Sequence, residues 1–309
     1  MIVGPTAAGK SALALHLARR WGAARILTVD SMQVYRGMDI GTAKPTADER
    51  ALVPHLLIDL ADPAEDFSVV EYARAFDHAM ASTVGAGDLP ILAGGTGLYL
   101  RAVVDGLTPP PRFPEVVAEL EAEPDTVALH DRLAALDPLA ASRMEPGNRR
   151  RVVRALEVTL GSGRPFSSFG PGLATYPEVP HTMVGIDIDR DTLDRRIEER
   201  YRTQMELGFL EEVRGLLEGD RPMGRTASQA LGYRELTAHL RGELTLEGAL
   251  VEAVRRTRRF ARRQQRWFRR DPRIHWIPFG PVDRMAEMVE GIGTAASGGA
   301  GDRIGEMPS

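Results

Sequence analysis

The chain has 309 residues, 43% of them hydrophobic and 27% charged, with a formal net charge of −4. That profile suits a globular protein with one large domain carrying an insert, or two modest domains, either able to bury a core. There is no cysteine, which excludes disulfides and thiolate metal sites; the seven histidines show no metal-type spacing, and no apolar run nears the roughly 20 residues of a membrane span. With no charged-then-apolar leader, a cytoplasmic location is expected.

In chain order, Met1–Val3 reads as a strand entering a glycine loop at once. It is shorter than a buried first strand should be, so either the start lies upstream or the strand is cut short. A helix follows over Ser11–Arg20, then strands at Ile26–Val29 and Leu56–Leu60, a helix at Val69–Ala81, a strand at Pro90–Ala93 and a helix at Leu98–Val104. Residues 107–182 break this rhythm. They open on Thr108-Pro-Pro-Pro-Arg112, continue as short helices and close through the glycine-, proline- and serine-rich Gly161–Pro180. Strands return at Met183–Ile188 and Ile274–Pro278, with helices over Thr192–Glu218 and Leu246–Arg269. Strands alternating with helices predict an α/β fold, a parallel sheet flanked by helices. The expected organisation is a core of residues 1–106 and 183–290, a helical insert over 107–182, and a disordered tail over 291–309, where apolar content is low.

Gly4-Pro5-Thr6-Ala7-Ala8-Gly9-Lys10-Ser11 fits the phosphate-loop pattern G-x-x-x-x-G-K-[ST], and a helix follows it as the motif requires. The glycines allow a tight loop whose N–H groups turn toward phosphate oxygens. Lys10 neutralises those oxygens, and the Ser11 hydroxyl can hold Mg²⁺ at a helix N-terminus. Such a loop implies a phosphate ligand and is shared by kinases, nucleotide hydrolases and several transferases. Only two lysines occur in the chain, Lys10 and Lys44. Where arginine is so strongly preferred, a retained lysine points to a need for a compact charge. Lys44 has no evident role.

The arginines concentrate in one place. From Arg255 to Arg270 nine of sixteen residues are arginine and none is acidic, with Phe260, Trp267 and Phe268 interleaved. So dense a cluster is expected to exceed local neutralisation, and arginine beside aromatics suits RNA phosphates and stacked bases. The alternative is a solvated helix packed by its aromatic stripe.

Three further segments fall after strands, where a P-loop fold gathers its function: Val29–Pro45, Pro54-His55 and Gly94-Gly95-Thr96-Gly97-Leu98-Tyr99. With Asn148–Leu156, Arg196–Arg200, Gly208–Arg214, Leu231-Gly-Tyr-Arg234 and Thr257–Gln264, they make the chain resemble, nearly end to end, the bacterial tRNA dimethylallyltransferases. The resemblance implies a P-loop NTPase-like core. It implies transfer of a dimethylallyl group from its diphosphate to N6 of an anticodon-loop adenine in tRNA, with Mg²⁺, by a soluble monomer.

It also implies roles. Asp30 would be the general base, a position that could otherwise be a turn or cap. Thr96 would approach the target nucleotide, although it could simply cap the next helix. Arg200 would bind diphosphate, although its own segment reads as a charged solvated helix. Asp30, Ser31, Met32 and Gln33 would meet the adenine. Further tRNA contacts would come from Arg150, Arg151 and Arg154, from Gln229, Gly232 and Tyr233, and from Arg258, Arg259, Arg262 and Arg263, with the insert clamping the anticodon stem. His55 reads as structural.

Two other readings fit a phosphate loop. An adenylate isopentenyltransferase or small-molecule kinase would need neither the insert nor the arginine helix. A nucleotide-switched RNA-binding protein would need a strand ending in aspartate to hold Mg²⁺, whereas Pro90–Ala93 runs into Gly94-Gly95-Thr96.

Overall fold

The computed structural model describes residues 1–107, 109–169 and 175–301. Two compact units form, Met1–Val104 with Glu178–Ser309, and Asp105–Pro177.

The first unit contains β1 (Ile2–Val3), α1 (Lys10–Trp21), β2 (Ala24–Val29), α2 (Ala47–Leu52), β3 (His55–Leu56), α3 (Val69–Gly85), β4 (Leu89–Gly94) and α4 (Gly97–Val104). The second contains α5 (Pro114–Glu121), α6 (Thr126–Leu136), α7 (Pro138–Ser142) and α8 (Arg149–Ser162). The first unit then resumes with β5 (Met183–Asp187), α9 (Arg190–Glu206), α10 (Phe209–Glu218), α11 (Tyr233–Leu240), α12 (Leu246–Phe268), β6 (Ile274–Pro278) and α13 (Val282–Gly301).

The six strands form one sheet in the order β3-β2-β4-β1-β5-β6, and every pairing is parallel. This is the P-loop NTPase-like α/β architecture. Although β1 has only two residues, it pairs on both sides, Val3 lying level with Gly94 of β4 and Gly185 of β5. Val29 of β2 is also level with Gly94. The carboxyl ends of β1, β2 and β4 therefore finish at one height, and the segments beginning at Gly4, Asp30 and Gly95 leave the sheet side by side. The core beneath is apolar, with Val3, Leu13, Leu17, Leu27, Val29 and Ile186 showing no exposure.

Several elements differ from expectation for local reasons. The strand expected over Leu56–Leu60 stops after Leu56, because Leu57 and Asp59 take positive φ and turn the chain. The single helix expected over Thr192–Glu218 is two, separated at Leu207-Gly208, where Gly208 takes φ 97°. Helix α2 is capped by Thr46, which accepts from the Glu49 N–H while Glu49 returns a bond to the Thr46 N–H. Helix α13 carries through Gly301, where composition predicted a disordered tail from Gly291, and Ile292 packs against the main core. Residues 302–309 lie outside the described residues. The second unit has its own core, in which Leu120, Leu129, Leu133, Val152 and Leu156 are buried.

Candidate active site

The loop between β1 and α1 supplies the first wall. Ala7 (φ 63°) and Gly9 (φ 90°) both take left-handed backbone, which folds the loop into a concave turn of N–H groups. Helix α1 starts at Lys10, and the N–H groups of its first turn have no intrahelical acceptor. They and the positive end of the helix dipole favour an anion there. Above the loop lies a cavity of about 380 Å³, lined among others by Thr6, Gly9, Lys10, Ser11, Asp30 and Arg200.

Charge is the second property. The Lys10 ammonium donates to the Pro5 carbonyl at 2.7 Å. Burial lowers its pKa to about 8, with Asp30 raising it and Arg200 lowering it further. Arg200 reaches in from α9, donating to Thr6 Oγ1 at 2.9 Å and to the Gly41 carbonyl at 3.2 Å. Burial lowers its pKa too, which leaves a guanidinium charged at any physiological pH. A third cation was not foreseen. Arg196, one turn earlier on α9, donates to the Ala7 carbonyl at 2.7 Å, stacks over Phe279 and lines the same cavity. Its place in a charged helix gave no signal of this.

The third wall is the chain after β2. Asp30 is half-buried, and its Oδ1 accepts the N–H groups of Met32 (2.8 Å) and Gln33 (3.3 Å). These bonds fix the carboxylate by an Asx turn, and its Oδ2 has no hydrogen bond among the described residues. Thr96 accepts the Ser31 N–H at 3.1 Å and donates to Ser31 Oγ at 3.4 Å, linking the ends of β2 and β4. Gln33 is buried and its amide nitrogen donates to the Thr42 and Ala43 carbonyls, so only Oε1 is left for a ligand. Of the residues expected to meet the adenine, Gln33 therefore keeps only an acceptor.

A buried polar network holds these walls. Lys44 donates to Asp39 and Asp59, each at 2.6 Å, and to the Tyr35 carbonyl; it is structural. Glu212 at the start of α10 accepts the N–H groups of Asp39, Ile40 and Gly41 and the Tyr233 hydroxyl. In sequence Glu212 falls inside the single helix expected over Thr192–Glu218, which gives no sign of this role. Tyr233 shows no exposure and packs against Gly41, and Gly232 is buried beside it against Phe209 and Tyr201, so neither stands at the surface where an RNA contact was expected. Gln229 is exposed.

The arginines divide. On α12, Arg258 pairs with Asp194 and Glu198, and Arg262 lies 3.9 Å from Asp194. These two are neutralised by carboxylates that α9 presents, although the cluster as a whole is not. Arg259, Arg263, Arg266 and Arg270 are exposed on one face, at spacings of three and four, without an ion pair among the described residues. In the second unit Arg150 and Arg151 are exposed. Arg154 is instead committed to buried Glu157 at 2.7 Å and to the Pro110 and Pro111 carbonyls.

The chain is similar in sequence and fold to known proteins. The family model described as IPP transferase matches residues 33–271, and that described as isopentenyl transferase matches residues 1–63. A tRNA dimethylallyltransferase of Streptomyces coelicolor is 49% identical over 92% of this chain and 91% of its own length. One from Geobacter metallireducens is 44% identical over 94% and 96%. The crystal structure of the tRNA isopentenylpyrophosphate transferase from Bacillus halodurans superposes with a TM-score of 0.69 at 37% identity, covering 95% of this chain and 94% of that one. A eukaryotic dimethylallyltransferase acting on tRNA, 23% identical, shares the fold with a TM-score of 0.75. Matched by its model from the end of β2 to the end of α12, and by relatives over nearly its whole length, the chain belongs to the IPP transferase family.

Proposed function

We propose that the chain transfers a dimethylallyl group from dimethylallyl diphosphate to the exocyclic N6 of an anticodon-loop adenine in tRNA. The observation that carries this reading is a phosphate cradle and a fixed carboxylate around one cavity, with Lys10, Ser11, Arg200 and Asp30 all lining it. The names of the similar proteins support the substrates.

The chemistry follows from what each group can do. The N6 lone pair is delocalised into the purine ring, so N6 attacks poorly while it keeps both hydrogens. The free Oδ2 of Asp30 is the group to accept an N6–H bond and take that proton as the N–C bond forms. The C–O bond to diphosphate breaks in the same step, and its electron pair leaves with the diphosphate. Lys10, Arg200 and the N–H groups opening α1 stabilise the charge that grows on the leaving oxygen. Arg196 braces the loop through Ala7. Thr96 holds Ser31, and with it the turn that orients Asp30.

The donor set fits Mg²⁺ in the way it binds phosphates, with one or two protein ligands and the rest from substrate and water. Ser11 would hold it; the described residues contain no cluster of three or more histidine or carboxylate ligands. When bound, the ion neutralises diphosphate oxygens.

On the RNA side, Arg259 and Arg263, with Arg266 and Arg270, form the phosphate-facing stripe. Arg150 and Arg151 of the insert serve the anticodon stem. No helix among the described residues is long and apolar enough to cross a membrane, and we place the enzyme in the cytoplasm with its tRNA, as a monomer. The test is incubation with labelled dimethylallyl diphosphate and either bulk tRNA or AMP. Label in tRNA alone is expected. Label on AMP would assign a free-nucleotide transferase, and no transfer to either would assign a binding protein.

A further inference from the structure

Helix α12 has a second, buried face. Gln264 and Trp267, three residues apart, point toward the loop after β4. Gln264 is only 8% exposed and uses both ends of its amide. Its Oε1 accepts the Thr6 N–H at 2.8 Å, and its Nε2 donates to the Gly95 carbonyl at 2.8 Å. The reverse orientation would set donor against donor and oxygen against oxygen, so the amide has one satisfied arrangement. The loop is shaped to receive these side chains. A Cβ on Gly95 would lie 2.4 Å from Gln264 Nε2, and one on Gly97 would lie 2.2 Å from Trp267 Nε1.

The amide thus ties the start of the phosphate loop to the end of β4. Thr6 is where this matters, because its Oγ1 accepts from Arg200. The chain of contacts runs from Gln264 to the Thr6 backbone, through the Thr6 hydroxyl, to the guanidinium over the cavity. Phosphate loops commonly turn their N–H groups to the ligand. Here Gln264 takes that of Thr6, which anchors the loop's first residues to the protein and leaves the later N–H groups for the anion.

We infer that Gln264 is a positioning residue for the diphosphate site, setting Thr6 and through it Arg200, and is not itself an RNA contact. This rests on reading the cavity above the phosphate loop as the site of the donor's diphosphate. Removing the amide leaves the half-buried Thr6 N–H and the buried Gly95 carbonyl without their partner, which favours rearrangement of the loop.

The test uses the full chain with Gln264→Leu, Gly95→Ala and Gln264→Asn, and Lys10→Ala as reference. Thermal stability, the Kd of inorganic diphosphate with Mg²⁺, the Kd of tRNA and steady-state constants are measured for each. Gln264→Leu should raise the diphosphate Kd and the donor KM by about tenfold and lower kcat, since the tie between the loop and the end of β4 is lost. Its tRNA Kd should stay within about twofold of the parent. Gly95→Ala should reproduce this from the other side, because its Cβ, 2.4 Å from Nε2, displaces the amide while Gln264 itself is kept; it also comes within 3.3 Å of the Gly4 carbonyl. Gln264→Asn, too short to reach both partners, should fall between. A folded Gln264→Leu with unchanged diphosphate Kd and donor KM, or with weakened tRNA binding instead, overturns the inference. If that variant does not fold, Gly95→Ala and Gln264→Asn decide by the same readings. Lys10→Ala should abolish diphosphate binding. If it binds like the parent, the diphosphate site itself is misassigned; if binding is lost while the Gln264 variants match the parent, only the positioning role falls.

Discussion

The two faces of α12 make the RNA hypothesis quantitative. Arg259, Arg263 and Arg266 are exposed and without an ion pair, whereas Arg258 and Arg262 face Asp194 and Glu198 across the groove to α9. An arginine already paired with a carboxylate releases few counterions on meeting a phosphate. An unpaired one releases about 0.7–0.9 of an ion. Changing Arg259, Arg263 and Arg266 together to Gln should therefore flatten the slope of log K against log salt by about 2 to 3. Raising the salt fourfold would then weaken the parent roughly 30-fold more than the variant. Changing Arg258 and Arg262 to Gln should alter the slope by less than about one and reduce stability by on the order of 1 kcal/mol, the scale of partly exposed ion pairs. Filter binding or fluorescence titration with tRNA across a salt series reads both slopes, with donor KM as a control that should stay unchanged. If the Arg258/Arg262 variant flattens the slope and the Arg259/Arg263/Arg266 variant does not, the pairs to α9 open on binding and the face assigned here is wrong.

Other expectations follow from the cavity. Asp30→Asn keeps the shape and an acceptor for the Met32 N–H but takes no proton, so kcat should fall about 10²–10⁴-fold with diphosphate binding intact; turnover near the parent rate would make Asp30 a turn residue only. Arg200→Ala should raise donor KM and lower kcat, since the leaving group is charged in both ground and transition states, while the tRNA Kd holds; lost tRNA binding with normal donor KM would move Arg200 to the RNA side. The Lys10 ammonium, its pKa lowered to about 8 by burial, is the form that pairs with diphosphate. Donor kcat/KM should therefore fall as pH rises through about 8, although the ligand-free fold gains from the same titration. Between about 8 and the ordinary 10.5 the unfolded chain binds more protons, so stability rises with pH there. Lys10→Arg should remove the limb near 8 even if activity is reduced, and a limb that persists belongs to another group.

The fold was legible wherever one local signal sufficed. The strands at Ile26–Val29, Pro90–Ala93 and Ile274–Pro278 and the helix after the phosphate loop needed only a buried apolar run or a motif. Even the missed helix α2 carries its signal, since Thr46 and Glu49 stand at capping-box spacing, as do Ser68 and Glu71 before α3. What was not legible depended on backbone torsions that composition does not encode. Leu57 and Asp59 read as strand but turn at positive φ, and nothing in their side chains demands it. Asp59 is held there by the network around Lys44, accepting from both Lys44 and Arg50.

The site divides along the same line. Apart from Arg200 on α9, its ligand-facing residues sit in compact segments after strands, where chain direction and the phosphate-loop pattern locate them. Its supporting residues pair across large separations: Glu212 with Asp39–Gly41, Gln264 with Thr6, Arg196 with Ala7. Each alone is an ordinary polar residue on an amphipathic helix. Sequence reasoning then defaults to solvent or to RNA, as for Tyr233 and Arg258. A buried amide or carboxylate needs hydrogen-bond partners, and only the fold shows which backbone groups stand opposite. The retained lysine makes the point from the other side. Scarcity marked Lys44 as special, and the reason is geometric. A three-donor ammonium can serve Tyr35, Asp39 and Asp59 from one enclosed point, where the broad planar fork of an arginine would not fit.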